Sequence, residues 1–368
     1  MIKRLYAHNF KCLQNFELDF KNLNSVFLLG KNGSGKTTVF EVIEIFQKIG
    51  QGVTSLEELI SIESFSFGNK KTPIHLELEV ELDKQKFHYI LMIEFPENFN
   101  APKIKSEKLS AGQTIVFTRD GGQTVLNDSA HFLLDWHHVG LSLVSAKTHN
   151  DPIALFREWL KTIIFLSPFP KYFSSLSKIE NPKLLRDGSN IIDFARWLLS
   201  SNPSLYVQMY DFLKSKMPDL QLFKFEILGR DDKGLSFIFK QDSSAVSFDF
   251  EQLSDGEKIF FLSATILAAQ ANNPNLLCIW DEPDNFIGLV ELKQMIIEFR
   301  KTFESSASLG QLLLTSHNER VINSFSNHNI FVLSRDSHLS PTRINILEEI
   351  SYKSSTVVDA YDNGELDR

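Results

Sequence analysis

The run Gly30-Lys31-Asn32-Gly33-Ser34-Gly35-Lys36-Thr37 has the spacing G-x-x-x-x-G-K-[ST] of a loop that cradles phosphate groups. Each residue type has a physical reason to be there. The glycines let the backbone from Gly30 through Lys31, Asn32, Gly33, Ser34 and Gly35 turn so that several N–H groups converge on one anion. Lys36 would bring a point charge to the β and γ phosphates. Thr37 would offer a hydroxyl to Mg²⁺, with Thr38 beside it in the anion-facing set. The helix that follows would aim its positive end at the same charge. A glycine-rich turn without a ligand would also satisfy the pattern, so placement decides. The loop follows an apolar run, Ser25 to Leu29, and opens a stretch with Val39, Phe40, Val42, Ile43 and Phe46 at helical spacing.

A second constellation lies near the other end. Leu276 to Trp280 is an apolar, strand-like run ending in Asp281-Glu282-Pro283. In a parallel sheet the carboxyl ends of the strands face the ligand crevice. Asp281 would there hold Mg²⁺, directly or through water. Glu282 would orient and deprotonate an attacking water, a contribution of roughly 10²–10⁴-fold for a positioned base. Taken alone, an exposed Asp-Glu turn closing a strand explains the same residues. Leu253-Ser254-Asp255-Gly256-Glu257 precedes a helix, with Ser254 at the N-cap and Glu257 in the first turn. It is either a good helix start or a second anion-binding helix end, with Ser254, Gly256 and Glu257 approaching the γ-phosphate from another subunit. His317 closes the run Leu312 to Thr315; it is either a structural residue of the strand end or one that reaches the γ-phosphate and reports its presence.

These residues need elements to carry them. The chain opens with strands, including Phe16 to Phe20, followed by the loop and a helix from Thr37 to Ile49. From Ile74 to Phe117 the apolar residues alternate, predicting antiparallel strands with a turn at Asp83-Lys84-Gln85 and a loop at Gly121-Gly122. Ala130 to Pro218 reads as mostly helical, and Leu220 to Phe250 as strands. Then helix and strand alternate: Glu257 to Ala271, Leu276 to Trp280, Leu289 to Phe303, Gln311 to Thr315, Glu319 to Phe325 and Ile330 to Leu333. That alternation predicts right-handed crossovers and a parallel sheet. The two ends of the chain thus read as one α/β core interrupted by a mixed middle.

Composition narrows the function classes. Charged residues make up 23% and hydrophobic residues 43%, ordinary for a soluble globular protein. The net charge is −8 and there is no long Lys/Arg run, which argues against a stand-alone clamp on duplex DNA. The 32 phenylalanines read as an aromatic-rich core. Cys12 and Cys278 read as small buried residues of a reducing compartment. With no apolar signal segment and no uninterrupted run of 18 apolar residues, the expected location is the cytoplasm, with no membrane span. No further acid cluster or His/Cys set has ligand spacing, so nuclease chemistry within the chain is not expected.

In this order, the phosphate loop, the Ser254 segment, Asp281-Glu282 and His317 resemble the ABC-type ATPases. The Leu-Ser-x-Gly-Glu form of the second segment is similar to the SMC and RecF branch, as is the opening Ile2 to Phe20 with its Asn9-Phe10-Lys11 strand. Leu184 to Leu198, containing Asp187-Gly188-Ser189-Asn190, and Asp281-Glu282-Pro283-Asp284-Asn285 resemble compact bacterial AAA/SMC-like ATPases, several of them serving anti-phage defence beside a nuclease or other effector. The resemblance implies a P-loop NTPase head of ABC type, an α/β fold with a mixed β-sheet core and an inserted strand-rich and helical region. Its segments would be 1–70 with the Walker A loop, 71–250 as the insertion, and 251–350 with signature, Walker B and H-loop, followed by a polar tail, 351–368. It implies ATP and Mg²⁺, hydrolysis with Lys36, Glu282 and His317 as the catalytic set, and a head-to-tail homodimer sandwiching two nucleotides. An effector protein such as a nuclease or toxin would be the partner. A RecF-like DNA-binding ATPase, or a slow ATP sensor, stays open beside that reading. Asp284-Asn285-Phe286-Ile287-Gly288 departs from the family's usual D-loop ending in Leu-Asp, and Gln51 lies too near the first helix to serve as its Q-loop glutamine.

Overall fold

The computed structural model describes residues 1–366 apart from 98, 147, 243 and 306–307. The chain forms two compact units, one made of Met1–Ile163 with Ser326–Arg368 and the other of Ile164–Phe325. These bounds differ from the functional segments expected above.

In the first unit, an antiparallel sheet runs in the order Phe16–Asp19, Ile2–His8, Ile74–Leu82, Gln85–Glu94, Lys103–Ala111, Thr114–Asp120, Gln123–Leu126, Ala130–Leu133. Its alternation follows the sequence closely: Ile74, Leu76, Leu78, Val80 and Leu82 are buried, and the residues between them lie on the outer face. The turn at Asp83-Lys84 has positive φ at both residues, 49° and 68°, the backbone twist that suits a two-residue hairpin. The buried face packs on two helices. Phe46 of Lys36–Gly50 meets Tyr89 edge-on at 5.8 Å, and Phe156 of Pro152–Thr162 stacks on Phe87 at 5.6 Å. Under this sheet Glu107 and Arg119 form a fully buried pair, 3.6 Å apart. Glu107 accepts from the Tyr89 hydroxyl and the Gly140 and Leu141 amides, each at 2.7 Å. The phosphate-loop strand Ser25–Leu29, buried at every position, pairs in parallel with Ile330–Ser334, which in turn pairs antiparallel with Arg343–Ile346.

In the second unit, Leu277–Asp281 lies between two parallel neighbours, Ile164–Leu166 and Gln311–Thr315. Strands Leu220–Ile227, Lys233–Gln241 and Ser244–Asp249 pair antiparallel beside it in sequence. Helices Ile191–Ser201, Leu205–Lys216, Asp255–Asn272 and Leu289–Phe303 complete the unit. Phe223, Phe237, Phe250 and Phe261 form a ring cluster with centroid separations of 5.4 to 6.1 Å. This bears out the aromatic-core reading of the phenylalanines.

Three expectations need correction. The stretch from Ala130 to Pro218 contains strands Ala130–Leu133, Ile164–Leu166 and Leu176–Ser177 as well as helices. Ile164-Phe165-Leu166 is too short for a helix, ends at Ser167-Pro168, and is buried on both faces as a parallel strand. Asn9 and Lys11 have φ of 56° and 47°, so Asn9-Phe10-Lys11 is a tight turn, fixed by the Asn9 amide donating to the Asn69 and Thr72 carbonyls. The helix expected to reach Phe325 stops at Ile322 after one turn. There the Ser324 carbonyl is taken by Arg300 instead of continuing the ladder.

Candidate active site

The phosphate loop is shaped by its glycines for two different reasons. Gly33 and Gly35 have φ of 79° and 107°, where a side chain is strained. Gly30 has an ordinary backbone, but a Cβ there would lie 2.5 Å from the Leu333 carbonyl oxygen. The Ser34 amide donates to the Lys31 carbonyl at 3.0 Å. The Lys36 ammonium donates to the carbonyls of Gly30 and Lys31, so a full positive charge sits on the loop. Lys31, Asn32, Gly33 and Thr37 are exposed, whereas Ser34 is buried. The Ser34 hydroxyl has no hydrogen-bond partner within the protein. A buried hydroxyl without a partner is costly unless a ligand satisfies it, which fits a phosphate oxygen at this loop. Thr38 is half-buried, its hydroxyl 3.6 Å from the Cys12 thiol.

Two residues that the sequence did not point to hold the loop from outside. The Thr342 hydroxyl donates to the Ser34 carbonyl at 2.8 Å, and the Thr342 amide donates to the Cys12 carbonyl at 2.9 Å. The Arg335 guanidinium donates to the carbonyls of Gly33 at 3.0 Å, Ser340 at 2.9 Å and His338 at 2.6 Å. Both lie in a polar segment with no local signal of this role.

In the second unit the register pairs Asp281 with Thr315 at the carboxyl ends of adjacent parallel strands. The Thr315 hydroxyl donates to Asp281 Oδ1 at 2.5 Å, and Arg186 Nη2 lies 3.7 Å from Oδ2. Glu282 takes the left-handed region, φ 53°, with its amide donating to the Thr315 carbonyl at 3.1 Å. That turn leaves the Glu282 side chain exposed, with Asn285 donating to it at 3.3 Å. Asp284 accepts from the Ser316 hydroxyl at 2.6 Å. His317 follows on the exposed side of the same strand end. Asp281, Glu282 and His317 therefore gather at one set of strand tips within this unit.

Ser254 caps Asp255–Asn272 as expected. Its hydroxyl accepts from the Glu257 amide at 3.3 Å, while the Glu257 carboxylate accepts from the Ser254 amide at 2.8 Å and hydroxyl at 2.7 Å. This reciprocal box is a complete helix start in its own right. Gly256 lies against the Phe286 carbonyl, where a Cβ would sit at 3.3 Å.

The register also brings together three ligand-type side chains that sequence spacing does not group. On the outer face of the antiparallel sheet, ligand atoms of Glu77, Glu79 and His88 lie within 4.8 Å of one another. The Arg4 guanidinium donates to Glu77 and to Glu79, each at 2.8 Å. His75 and His88 flank Glu77 at 2.8 and 2.9 Å. The neighbouring His75, His88 and Arg4 hold the Glu77 carboxyl far below the usual range, against the opposing effect of burial.

Among known families, the one described as "AAA ATPase domain" matches residues 1–187, half of the chain. The chain belongs to the AAA ATPase domain family. A second family, described as "AAA domain, putative AbiEii toxin, Type IV TA system", matches residues 144–323 of this AAA ATPase domain protein. A solved structure of an Smc head bound to the C-winged helix domain of ScpA covers 95% of this chain and 99% of its own, at 14% identity and a TM-score of 0.58. The Smc head of Pyrococcus furiosus, solved with an extended coiled coil and bound to the C-terminal domain of ScpA, covers 95% and 97%, at 11% identity and a TM-score of 0.54. At such identities the likeness is one of fold alone, the α/β P-loop fold of an SMC head. No curated protein matches the sequence. Among the described residues, no helix of this AAA ATPase domain protein is long and apolar enough to cross a membrane.

Proposed function

We propose that the chain binds ATP with Mg²⁺, hydrolyses it, and forms a head-to-tail homodimer around the nucleotide in order to control a partner protein. The observation that carries this reading is the phosphate loop: Gly33 and Gly35 at positive φ, a partnerless buried Ser34 hydroxyl, and Lys36 on the loop at the start of a helix. The loop amides and the helix end would bind the triphosphate, with Lys36 countering its β and γ charges. The hydroxyl of Thr37 and the carboxylate of Asp281 are hard oxygen donors of the kind Mg²⁺ takes. When bound, that ion would neutralise charge building on the phosphate oxygens. Glu282, exposed at its strand tip, would orient the attacking water and accept its proton, and His317 would contact the γ-phosphate.

The dimer reading rests on Ser254, Gly256 and Glu257 at the positive end of an 18-residue helix. That end would complete the partner subunit's site, linking ATP affinity to association. Control of an effector in bacterial defence is supported by the toxin–antitoxin description of the second family and by the ScpA-bound state of the similar Smc heads. The expected setting is the cytoplasm. The test is Glu282→Gln, sized with and without ATP and Mg²⁺. Turnover should be lost while ATP shifts the variant from monomer to dimer. A variant that stays monomeric with ATP and Mg²⁺ would rule out the sandwich.

A further inference from the structure

The three acids of the strand-tip segment, Asp281, Glu282 and Asp284, are not equally served. Asp284 is met by the Ser316 hydroxyl and Glu282 by the Asn285 amide, both neutral. Asp281 has the Thr315 hydroxyl on Oδ1 and a cation, the Arg186 guanidinium, 3.7 Å from Oδ2. No sequence pattern assigns Arg186 a role.

The fold places this arginine with care. Beyond Leu166, which pairs with Trp280, the chain keeps making sheet-like contacts. The Ser167 amide donates to the Arg186 carbonyl and the Phe169 amide to the Asp187 carbonyl, each at 2.9 Å. Arg186 thereby stands beside the strand that neighbours Asp281. Its loop is closed by Asn190, whose side chain accepts from the Leu185 amide and donates to the Lys183 carbonyl, both at 2.8 Å. Gly188 turns at φ 75° under the Phe173 ring, which would meet a Cβ at 2.6 Å.

We propose that Arg186 is a positioning residue for Asp281: it is the carboxylate's counter-ion until the metal arrives, and metal binding must displace it. This rests on the ATPase reading above. A guanidinium and a divalent ion drawn to one carboxylate repel each other, so Arg186 sets how much metal is needed before the site is complete. The pair is partly open, with side chains 36% and 21% exposed, so the effect is modest.

The probe is Mn²⁺, titrated by electron paramagnetic resonance into the whole protein with a non-hydrolysable ATP analogue. Removing the charge by Arg186→Ala should tighten Mn²⁺ roughly three- to five-fold, the scale of one partly exposed ion pair. Arg186→Lys should stay near wild type, and analogue affinity without metal should be unchanged. Should Arg186→Ala fold poorly by thermal melting, Arg186→Gln is expected to give the same tightening. Mn²⁺ affinity that is equal or weaker in the neutral variants overturns the proposal. If the wild type shows no Mn²⁺ uptake that Asp281→Asn abolishes, the ATPase reading itself fails, a distinct outcome.

Discussion

Thr342 donates its hydroxyl hydrogen to the carbonyl of Ser34 at 2.8 Å across 308 positions of chain, in a buried setting. The far end of the first unit thus fixes the curvature of the loop proposed to hold phosphate. Thr342→Val keeps the shape and removes the donor, leaving a buried carbonyl unsatisfied. We expect about 1–3 kcal/mol lower stability by chemical denaturation and weaker ATP binding, with Thr342→Ser restoring both. Unchanged stability and affinity would detach Thr342 from the loop.

Gly35 and Gly52 separate strain from fit. Both have positive φ, 107° and 97°, but a Cβ at Gly35 would meet the Thr342 hydroxyl oxygen at 2.5 Å, whereas at Gly52 nothing lies within 4 Å. Gly52→Ala should cost about 1 kcal/mol of stability and leave nucleotide binding intact. Gly35→Ala should abolish binding as measured by fluorescence of a labelled ATP analogue. Equal binding by the two variants would contradict the account.

The Glu107–Arg119 pair has both side chains fully buried, and burial is the largest influence pushing the Glu107 carboxyl above its usual range. Glu107→Ala would strand the arginine and leave the Tyr89 hydroxyl and two amides without their acceptor. A loss of about 3–5 kcal/mol is expected in urea unfolding. A loss below about 1 kcal/mol would mean the pair does not organise the sheet.

Glu77 makes a prediction about pH. Its folded-state carboxyl is held far below the ordinary 4.5, by His75 first, then His88 and Arg4. The ionised form is therefore favoured in the fold, so its stabilisation is fully present above pH 4.5 and is lost as pH falls below that value. The stability difference between wild type and Glu77→Gln should be flat down to about pH 5 and shrink in stronger acid. A difference that instead vanishes near neutral pH would contradict the assignment.

What the sequence made legible was local. The strand before the phosphate loop, the helix after it, the cap at Ser254, and the strand tips at Asp281 and Thr315 all follow from patterns within about ten residues. What it hid depends on pairing between distant segments. Alternation says which residues of Ile74–Leu82 and Gln85–Glu94 share a face, but only the register sets Glu79 opposite His88. Arg186 reaches Asp281 through an intervening strand, and Arg335 and Thr342 reach the loop through the pairing of Ser25–Leu29 with Ile330–Ser334. Asn9-Phe10-Lys11, a strand by the family resemblance, turns instead because its left-handed backbone is fixed by the distant carbonyls of Asn69 and Thr72.

The most direct measurement is ATP binding by wild type and Lys36→Ala, with Mg²⁺, both first shown to melt alike. Wild type should bind saturably, and the variant roughly ten- to a hundred-fold more weakly, the scale of a charged hydrogen bond. Equal affinity in the two proteins would mean that the triphosphate is not held at Gly30 to Thr37.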